Sequence, residues 1–349
     1  MPLTKPYEKI SIIGAGLMGG SLAYALVEKQ LAKKLVILAR TKEAIAEIQN
    51  KAAHVTINYE DLTDSDLIFI ATPLSTYEEI FKKLENLTLK KEVIISDVGS
   101  VKNKVKILAK EHMQSWNFVA THPIAGSERS GTGVLVKDLY QNKKIIITEK
   151  QHKQSMEVAR IWEEIGGKIE YMEANSHDQI YAYVSHLVQN IAFNLNYLFH
   201  HSRKDLAELN KDYNNESFSK FTRLYFSNKR MWQDIFFFNQ EHLQKALAEA
   251  QEELQRLVVN FDQLIRAKKK QEISKLTVKD LDFFLASLVA NLVKEVVANK
   301  IANYQEYAGS GFDDFVSIIK DQKPDLSDLA SGDLGYLRDR LANLLNYLY

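Results

Sequence analysis

The pattern of hydrophobic positions divides the chain into two parts. In residues 9–149, short β-branched runs alternate with stretches of helical spacing, and the runs lie at residues 10–13, 35–38, 67–71, 93–96, 118–121 and 145–148. Strands that alternate with helices predict a parallel sheet covered on both faces. Ligands of such sheets bind at the carboxyl ends of the strands. The first part of the chain therefore predicts a doubly wound α/β domain.

From about Tyr171 onward the strand signal disappears and apolar residues recur at helical spacing. The longest such pattern covers residues 242–270, with Leu243, Leu247, Ala250, Leu254, Leu257, Phe261 and Leu264 on one face. We expect an α/β domain over residues 1–173, followed by an all-helical domain over residues 174–349.

The first predicted strand runs into a glycine-rich turn that reads GAGLMG over residues 14–19, and a helical pattern follows it. The N-terminus of a helix offers unpaired backbone N–H groups and the positive end of the dipole to a pyrophosphate. Gly14 permits the tight turn, Gly16 lets the phosphate approach the backbone, and Gly19 lets helix and strand pack closely. With Leu17 and Met18 completing the turn, this arrangement predicts a Rossmann-type dinucleotide-binding domain.

The end of the second predicted strand bears on the choice of dinucleotide. NAD-binding folds usually carry an acidic residue there, but residues 39–43 read ARTKE, with no carboxylate before Glu43. Arg40 and Lys42 can pair with a 2′-phosphate, and Thr41 can donate a hydrogen bond to it. The alternative interpretation is a solvated basic loop that binds no phosphate. We expect NADP as the cofactor, with NAD as the less favoured alternative.

Composition and charge exclude several classes of function. The 45 basic and 45 acidic residues cancel, so no overall field favours nucleic acid or an anionic membrane. The absence of cysteine excludes disulfides, thiolate metal sites and a cysteine nucleophile. No apolar run approaches the roughly 20 residues that span a bilayer, and the polar first residues do not resemble a signal peptide. We expect a cytoplasmic protein that acts on a small molecule without a metal.

Polar clusters follow several of the predicted strands. Thr72 and Pro73 close one strand in a turn that we expect to flank the cofactor, and residues 96–102 end another with SDVGSVK. Residues 121–128 read THPIAGSE, which places His122 at the carboxyl end of a third strand. A lone histidine is more often structural than catalytic. The position of His122 and the need for a proton acceptor make it a candidate base.

These clusters resemble the prephenate dehydrogenase family, which includes the arogenate and cyclohexadienyl dehydrogenases of tyrosine biosynthesis. In the family's order the chain carries GAGLMGGS from Gly14, ATP from Ala71, DVGSVK from Asp97, HPIAGSE from His122, HD at 177–178, SHL from Ser185, FTR at 221–223 and WQDI at 232–235. DVGSVK followed by HPIAGSE is the specific part. The resemblance implies a second domain of the 6-phosphogluconate dehydrogenase-like type and a homodimer formed through it.

The resemblance also implies a reaction, the oxidative decarboxylation of prephenate to 4-hydroxyphenylpyruvate. Hydride leaves the hydroxyl-bearing ring carbon for the nicotinamide, and carbon dioxide departs as the ring becomes aromatic. By resemblance His122 accepts the hydroxyl proton, Ser100 orients the hydroxyl and the nicotinamide, and Arg223 binds the ring carboxylate. His177 and Asp178 are expected to support the site from behind rather than to touch substrate.

The substrate-binding residues implied by the resemblance are Arg223, His186, Gln189 and Ser127. Gln189 stands where the family commonly has a histidine that helps to bind the substrate side chain, which leaves prephenate and arogenate as alternatives. Residues 217–223 also lack the family's glycine and one of its charged residues. Two other classes stay open, a β-hydroxyacid dehydrogenase with a lysine base and a dinucleotide-binding protein without turnover.

Residues 275–349 resemble a degenerate second copy of residues 181–263. ASLVANL at 286–292 echoes VSHLVQNI at 184–191, and Ser317 stands where Arg223 would recur. Chance similarity between Leu-, Ala- and Asn-rich helices is the alternative. If the copy is real, we expect it to pack against residues 181–263 of its own chain.

Overall fold

The computed structural model describes residues 6–40, 53–113, 117–126, 135–197 and 223–268. The chain forms two compact units. The first unit is Met1–Asp178 with Asn228–Asn239, and the second is Gln179–Ser227 with Gln240–Tyr349. Thr41, Lys42, Ser127 and the proposed repeat at 275–349 lie outside the described residues.

The first unit contains a six-stranded sheet whose neighbouring strands are all parallel. Its strands are β1 (Tyr7–Ile13), β2 (Ala32–Leu38), β3 (Ala53–Thr56), β4 (Leu67–Ile70), β5 (Ile94–Asp97) and β6 (Asn117–Val119), in the order β3-β2-β1-β4-β5-β6. The helices of this part are α1 (Leu17–Glu28), α2 (Tyr77–Glu85), α3 (Asn103–His112) and α4 (Lys153–Glu164). The predicted Rossmann-type α/β fold is confirmed.

Apolar residues on both faces of the strands explain why this sheet is covered on both sides. Ile10 and Ile12 of β1 belong to one buried cluster, which includes Trp162 of α4. Ile13 belongs to a second cluster, which includes Phe81 of α2. Successive side chains of a strand point to opposite faces, so the continuous apolar runs supply both cores.

A second, three-stranded sheet corrects the prediction around His122. Strands β7 (Thr121–Pro123), β8 (Lys144–Ile147) and β9 (Lys168–Tyr171) lie in that order, with β7 antiparallel to β8 and β8 parallel to β9. The expected single strand at 118–121 is therefore wrong, and His122 lies in the middle of β7 rather than at a strand end. The chain changes sheets because Asp97 accepts the backbone N–H of Thr121 at 3.1 Å, and the Thr121 hydroxyl donates to the Asp97 carbonyl.

The rest of the described chain is helical. It comprises α5 (Ala174–Tyr181), a π-helical segment (Ala182–Leu187), α6 (Val188–Tyr197), a 3₁₀ turn (Leu224–Phe226), α7 (Lys229–Phe238) and α8 (Gln240–Lys268). The predicted helical second part is thus confirmed, and α8 matches the long pattern at 242–270 to within two residues. No helix in the described ranges is long and apolar enough to cross a membrane.

Within the second unit, α8 packs against the π-helical segment. Its buried residues Leu243, Ala246, Ala250 and Leu254 recur every three or four positions, which keeps them on one face. The Tyr183 hydroxyl donates to the Glu249 carboxylate at 2.8 Å. These contacts position the π-helical segment, which carries His186.

Candidate active site

The glycine turn between β1 and α1 has the geometry that a pyrophosphate needs. Gly14 has φ of +109°, and a Cβ there would lie 2.5 Å from the Ala71 carbonyl oxygen. A Cβ on Gly19 would lie 2.1 Å from the Gly14 carbonyl oxygen, whereas a Cβ on Gly16 would meet nothing within 4 Å. Close packing thus requires glycine at positions 14 and 19, whereas Gly16 leaves open space beside the backbone. No side chain caps α1 at Gly16, so these residues fit a dinucleotide.

The other predicted cofactor residues lie around this turn. Leu17 begins α1, and the Met18 carbonyl accepts a hydrogen bond from the Tyr140 hydroxyl at 2.6 Å. Thr72 and Pro73 follow β4, where the Thr76 hydroxyl oxygen lies 2.8 Å from Thr72 Oγ1 and 2.7 Å from the Pro73 carbonyl oxygen.

Arg40, the described member of the predicted basic pair, is exposed two residues beyond the end of β2. In doubly wound sheets the carboxyl end of this strand lies near the adenosine ribose. Arg40 is therefore exposed at the end of the sheet where the ribose of a bound dinucleotide lies in such folds.

A buried ion pair lies where β5 ends. The ammonium of Lys102 contacts the carboxylate of Asp97, both side chains are fully buried, and Lys102 Nζ also donates to the Thr121 carbonyl at 2.7 Å. Asp97 further accepts the Tyr77 hydroxyl at 3.2 Å and the Gly99 backbone N–H at 2.9 Å. Burial lowers the pKa of Lys102, and the Asp97 charge opposes that shift. This network fixes the backbone on either side of the bend between β5 and α3.

Ser100 lies in that bend and is half-buried. The neighbouring Gly99 donates its N–H to Asp97, and the N–H of Lys102 donates to Asp178 Oδ1 at 2.8 Å. A Cβ on Gly99 would lie 2.8 Å from the Asp97 carboxylate, so this close approach needs a glycine. The bend that presents Ser100 is therefore held from both sides.

His122, His177 and Asp178 form a hydrogen-bonded chain in the first unit. His122 Nδ1 lies 2.8 Å from His177 Nε2, and His177 Nδ1 lies 2.8 Å from Asp178 Oδ1. Asp178 also accepts the backbone N–H groups of Lys102 and Asn103 at 2.8 Å each, at the start of α3. His177 and Asp178 are both buried. The N-terminus of α3 holds the Asp178 carboxylate, and the carboxylate in turn orients the His177 imidazole.

The charges around His177 determine where its protons lie. Burial, and secondarily the positive charge of Lys102, lowers the pKa of His177 well below its usual value, so the ring is neutral. A carboxylate only accepts hydrogen bonds, so His177 carries its proton on Nδ1 and accepts at Nε2. The hydrogen bond from His122 must then come from Nδ1–H. An uncharged imidazole with its one proton on Nδ1 has its lone pair on Nε2.

The second unit holds the predicted substrate-binding residues that are described there. His186 is buried in the π-helical segment, and π-helical turns are frequent at functional sites. Buried Gln189 donates its side-chain amide to the Leu224 carbonyl at 2.7 Å. Leu224 begins the 3₁₀ turn that follows the exposed Arg223. Gln189 thus fixes the backbone next to Arg223.

The structure adds site residues to which the sequence pattern assigned no role. Asp97 and Lys102 belong to the DVGSVK motif, but only their complete burial shows that they support the His122 strand. A signal was available in the sequence, because an aspartate ends an apolar strand and a lysine follows five residues later. When such charged residues are buried, they are usually paired with each other. Among the described residues, no group of three or more His, Cys, Asp or Glu side chains could hold a metal ion.

Comparison with known proteins shows what the chain is similar to. Residues 17–171 match the model of the prephenate dehydrogenase nucleotide-binding domain, and residues 173–276 match that of the prephenate dehydrogenase dimerization domain. The chain is 31% identical over 241 residues to cyclohexadienyl dehydrogenase of Zymomonas mobilis, covering 67% of this chain and 81% of that protein. It is 29% identical over 248 residues to prephenate dehydrogenase of Bacillus subtilis, covering 68% of this chain and 65% of that protein.

A solved structure shows the same relationship. The structure of prephenate dehydrogenase from Aquifex aeolicus in complex with hydroxyphenyl propionate and NAD+ superposes with a TM-score of 0.67 at 29% identity, covering 86% of this chain and 99% of that chain. The glycine turn, the histidine–histidine–aspartate chain and these matches lead to one conclusion: the chain belongs to the prephenate dehydrogenase family.

Proposed function

We propose that the protein catalyses the NAD(P)-dependent oxidative decarboxylation of prephenate to 4-hydroxyphenylpyruvate. The observation that carries the proposal is the hydrogen-bonded chain from Asp178 through His177 to His122, in the same unit as a glycine turn that fits a dinucleotide. The bound dinucleotide supplies the hydride acceptor. Family membership supports the same reaction class.

His122 acts as the base in this proposal. Asp178 and His177 hold the His122 proton on Nδ1. Nε2 therefore receives the proton of the substrate hydroxyl as hydride leaves the carbon that bears this hydroxyl. After that transfer His122 is positively charged, and the neutral His177 stabilises it by accepting its Nδ1–H. Positioning an imidazole in this way lowers the cost of orienting it at the moment of reaction.

Ser100 and Arg223 complete the proposed roles. Ser100 lies in the bend held by Asp97 and Asp178, from which its hydroxyl can orient the substrate hydroxyl. Arg223 supplies a planar fork of N–H donors that suits the ring carboxylate. Binding that carboxylate equally in substrate and transition state contributes to affinity rather than to the rate of the chemical step.

NADP preference is the finer part of the proposal. Its support is the exposed Arg40 beyond β2 and the lack of a carboxylate at residues 39–42. An arginine there can neutralise a 2′-phosphate, whereas an NAD enzyme normally presents an acidic residue to the ribose. NAD is the alternative.

A homodimer formed through the helical second part is a further element of the proposal. Its support is the match of residues 173–276 to a dimerization domain. Tyr197 and Phe226, both in the second unit, are exposed by 49% and 80%. Aromatic side chains of this size are enriched where subunits meet. Sedimentation of the purified chain tests the proposal, and a monomer at all concentrations would contradict it.

The substrate panel separates the candidate reactions. Initial rates of reduced-cofactor formation are measured with prephenate, arogenate and 6-phosphogluconate, each with NAD+ and NADP+. We expect the highest kcat/KM with prephenate. A preference for arogenate would change the substrate and keep the reaction, whereas turnover of 6-phosphogluconate alone would favour a β-hydroxyacid dehydrogenase. Dinucleotide binding without turnover would indicate a non-enzymatic protein.

A further inference from the structure

Helix α7 is part of the first unit, although the segments that precede and follow it in sequence belong to the second unit. Ile235 is buried in the cluster that contains Leu74 and Tyr77, and Trp232, Phe236 and Phe238 pack against the same cluster. The side chain of Asn228 caps the helix by accepting the N–H of Met231 at 3.1 Å. The helix therefore has a fixed place beside the turn that follows β4.

A carboxylate on α7 holds that turn. Asp234 Oδ2 accepts the backbone N–H of Ser75 at 3.1 Å and the Ser75 hydroxyl at 2.6 Å. Ser75 lies in the 3₁₀ turn Leu74–Thr76, directly after Thr72 and Pro73. The Thr76 hydroxyl is hydrogen-bonded to the Thr72 hydroxyl. Both hydrogen bonds go to a charged acceptor at an exposed position, so Asp234 restrains the turn from a helix distant in sequence.

The other end of α7 is anchored near the histidines. Asn239, which follows the helix and is buried, donates its side-chain amide to the Asp178 carbonyl at 2.8 Å. Lys104 of α3 lies over the rings of Phe237 and Phe238, 4.6 and 5.4 Å from their centroids. Because α7 is held in its middle at Asp234 and after its last turn at Asn239, it cannot shift without disturbing the turn, the Asp178 backbone or both.

We propose that Asp234 is a positioning residue for the dinucleotide, holding the turn at 71–75 in the conformation that presents Thr72 and Pro73 to it. This inference rests on the proposed function and on the expectation that Thr72 and Pro73 flank the cofactor. Without the carboxylate the turn gains conformational freedom, which cofactor binding must then remove. The loss of pre-organisation weakens binding without altering the groups that react.

Direct binding measurements test the proposal. The dissociation constants of NAD+ and NADP+ are measured by calorimetry on the full chain, without substrate. Asp234→Ala is expected to raise the Kd of the preferred dinucleotide about three- to tenfold. Ser75→Ala removes only the hydroxyl contact and is expected to have a smaller effect, and the double variant is expected to match Asp234→Ala alone, since the two residues act through one contact. Gln233→Ala, at an exposed position of the same helix, is the matched control and should leave Kd unchanged.

Kinetics and unfolding distinguish positioning from a general loss of structure. Asp234→Ala should raise the cofactor KM while kcat at saturating cofactor stays within about twofold, because the reacting groups are untouched. If Asp234→Ala does not fold, Asp234→Asn, which keeps an acceptor oxygen, should fold and raise Kd by a smaller factor.

An unchanged dinucleotide Kd in a folded Asp234 variant would overturn the positioning role. A variant in which kcat falls, KM rises and unfolding begins earlier would also overturn it, because that combination indicates a general loss of structure. Failure of the proposed function has a different signature. The wild-type protein would then not oxidise prephenate, whatever the effect of Asp234 on dinucleotide binding.

Discussion

His122 Nδ1 lies 2.8 Å from His177 Nε2, and this contact fixes which nitrogen of His122 carries a proton. His177 can accept that hydrogen bond because its own Nδ1–H is directed to Asp178. The buried carboxylate thus acts on His122 through two hydrogen bonds. The arrangement determines a tautomer as well as an orientation, and this leads to specific expectations for variants.

Asp178→Asn should lower kcat by roughly 10²–10⁴, the range expected for loss of a positioned general base. An asparagine has one acceptor oxygen in place of two, so the His177 Nδ1–H and the backbone N–H groups of Lys102 and Asn103 cannot all keep an acceptor, and the His122 proton is no longer confined to Nδ1. Steady-state kinetics and dinucleotide Kd measure the effect, and Kd should not change. Asp64→Asn alters a carboxylate that pairs with Lys9 and should retain wild-type kcat. Equal kcat in both variants would contradict the tautomer argument.

The free energy of unfolding should fall as the pH is lowered below about 6.5. His177 is neutral in the folded protein because its pKa is lowered, whereas the unfolded chain binds a proton there near pH 6.5. The stabilisation from His177 is therefore complete above the unfolded pKa and is lost as pH falls toward the folded pKa, with a slope of at most about 1.4 kcal/mol per pH unit.

Urea unfolding of the wild type and of His177→Gln between pH 5 and pH 8 measures this contribution as a difference in slope. The glutamine variant should show the shallower dependence, because it has no imidazole to titrate. Parallel curves for the two proteins would show that His177 titrates alike in both states.

Arg223→Gln should raise KM for prephenate much more than it lowers kcat, because the ring carboxylate is present in both substrate and transition state. Arg230→Gln, an exposed arginine of α7, is the matched control and should behave as wild type. If KM is unchanged in Arg223→Gln, the carboxylate is bound by another residue.

Ala39→Asp should shift preference from NADP toward NAD, because a carboxylate at the end of β2 repels a 2′-phosphate and accepts hydrogen bonds from the ribose hydroxyls. The ratio of kcat/KM for the two cofactors is the readout. Ala39→Ser, which adds a small uncharged group, should leave the ratio near that of the wild type. An NAD preference in the wild type would contradict the role assigned to Arg40.

The sequence predicted the α/β sheet, the glycine turn and the long helix α8, because each depends on a local repeat of residue types. It did not predict β3 or β9, which are four residues long and contain exposed or half-buried positions. The separation of β6 from β7 was missed because it depends on hydrogen bonds between Thr121 and Asp97, which are distant in sequence.

The same limit applies to the site. Motifs identified His122, Ser100 and the His177–Asp178 pair as candidates, but a pattern cannot show which nitrogen faces which oxygen. The role proposed for Asp234 depends on a contact with Ser75 that spans 159 positions. Burial and long-range hydrogen bonding supply this information, and a single sequence records neither.

The most direct measurement compares the wild type with His122→Asn on prephenate, quantifying reduced cofactor, carbon dioxide and 4-hydroxyphenylpyruvate in the same samples. His152→Asn, which changes an exposed histidine at the start of α4, is the matched control. The wild type and the control should form the three products in equal amounts. His122→Asn should have a kcat lower by roughly 10²–10⁴ with unchanged dinucleotide Kd. No reduced cofactor from the wild type, or wild-type kcat in His122→Asn, would contradict the account.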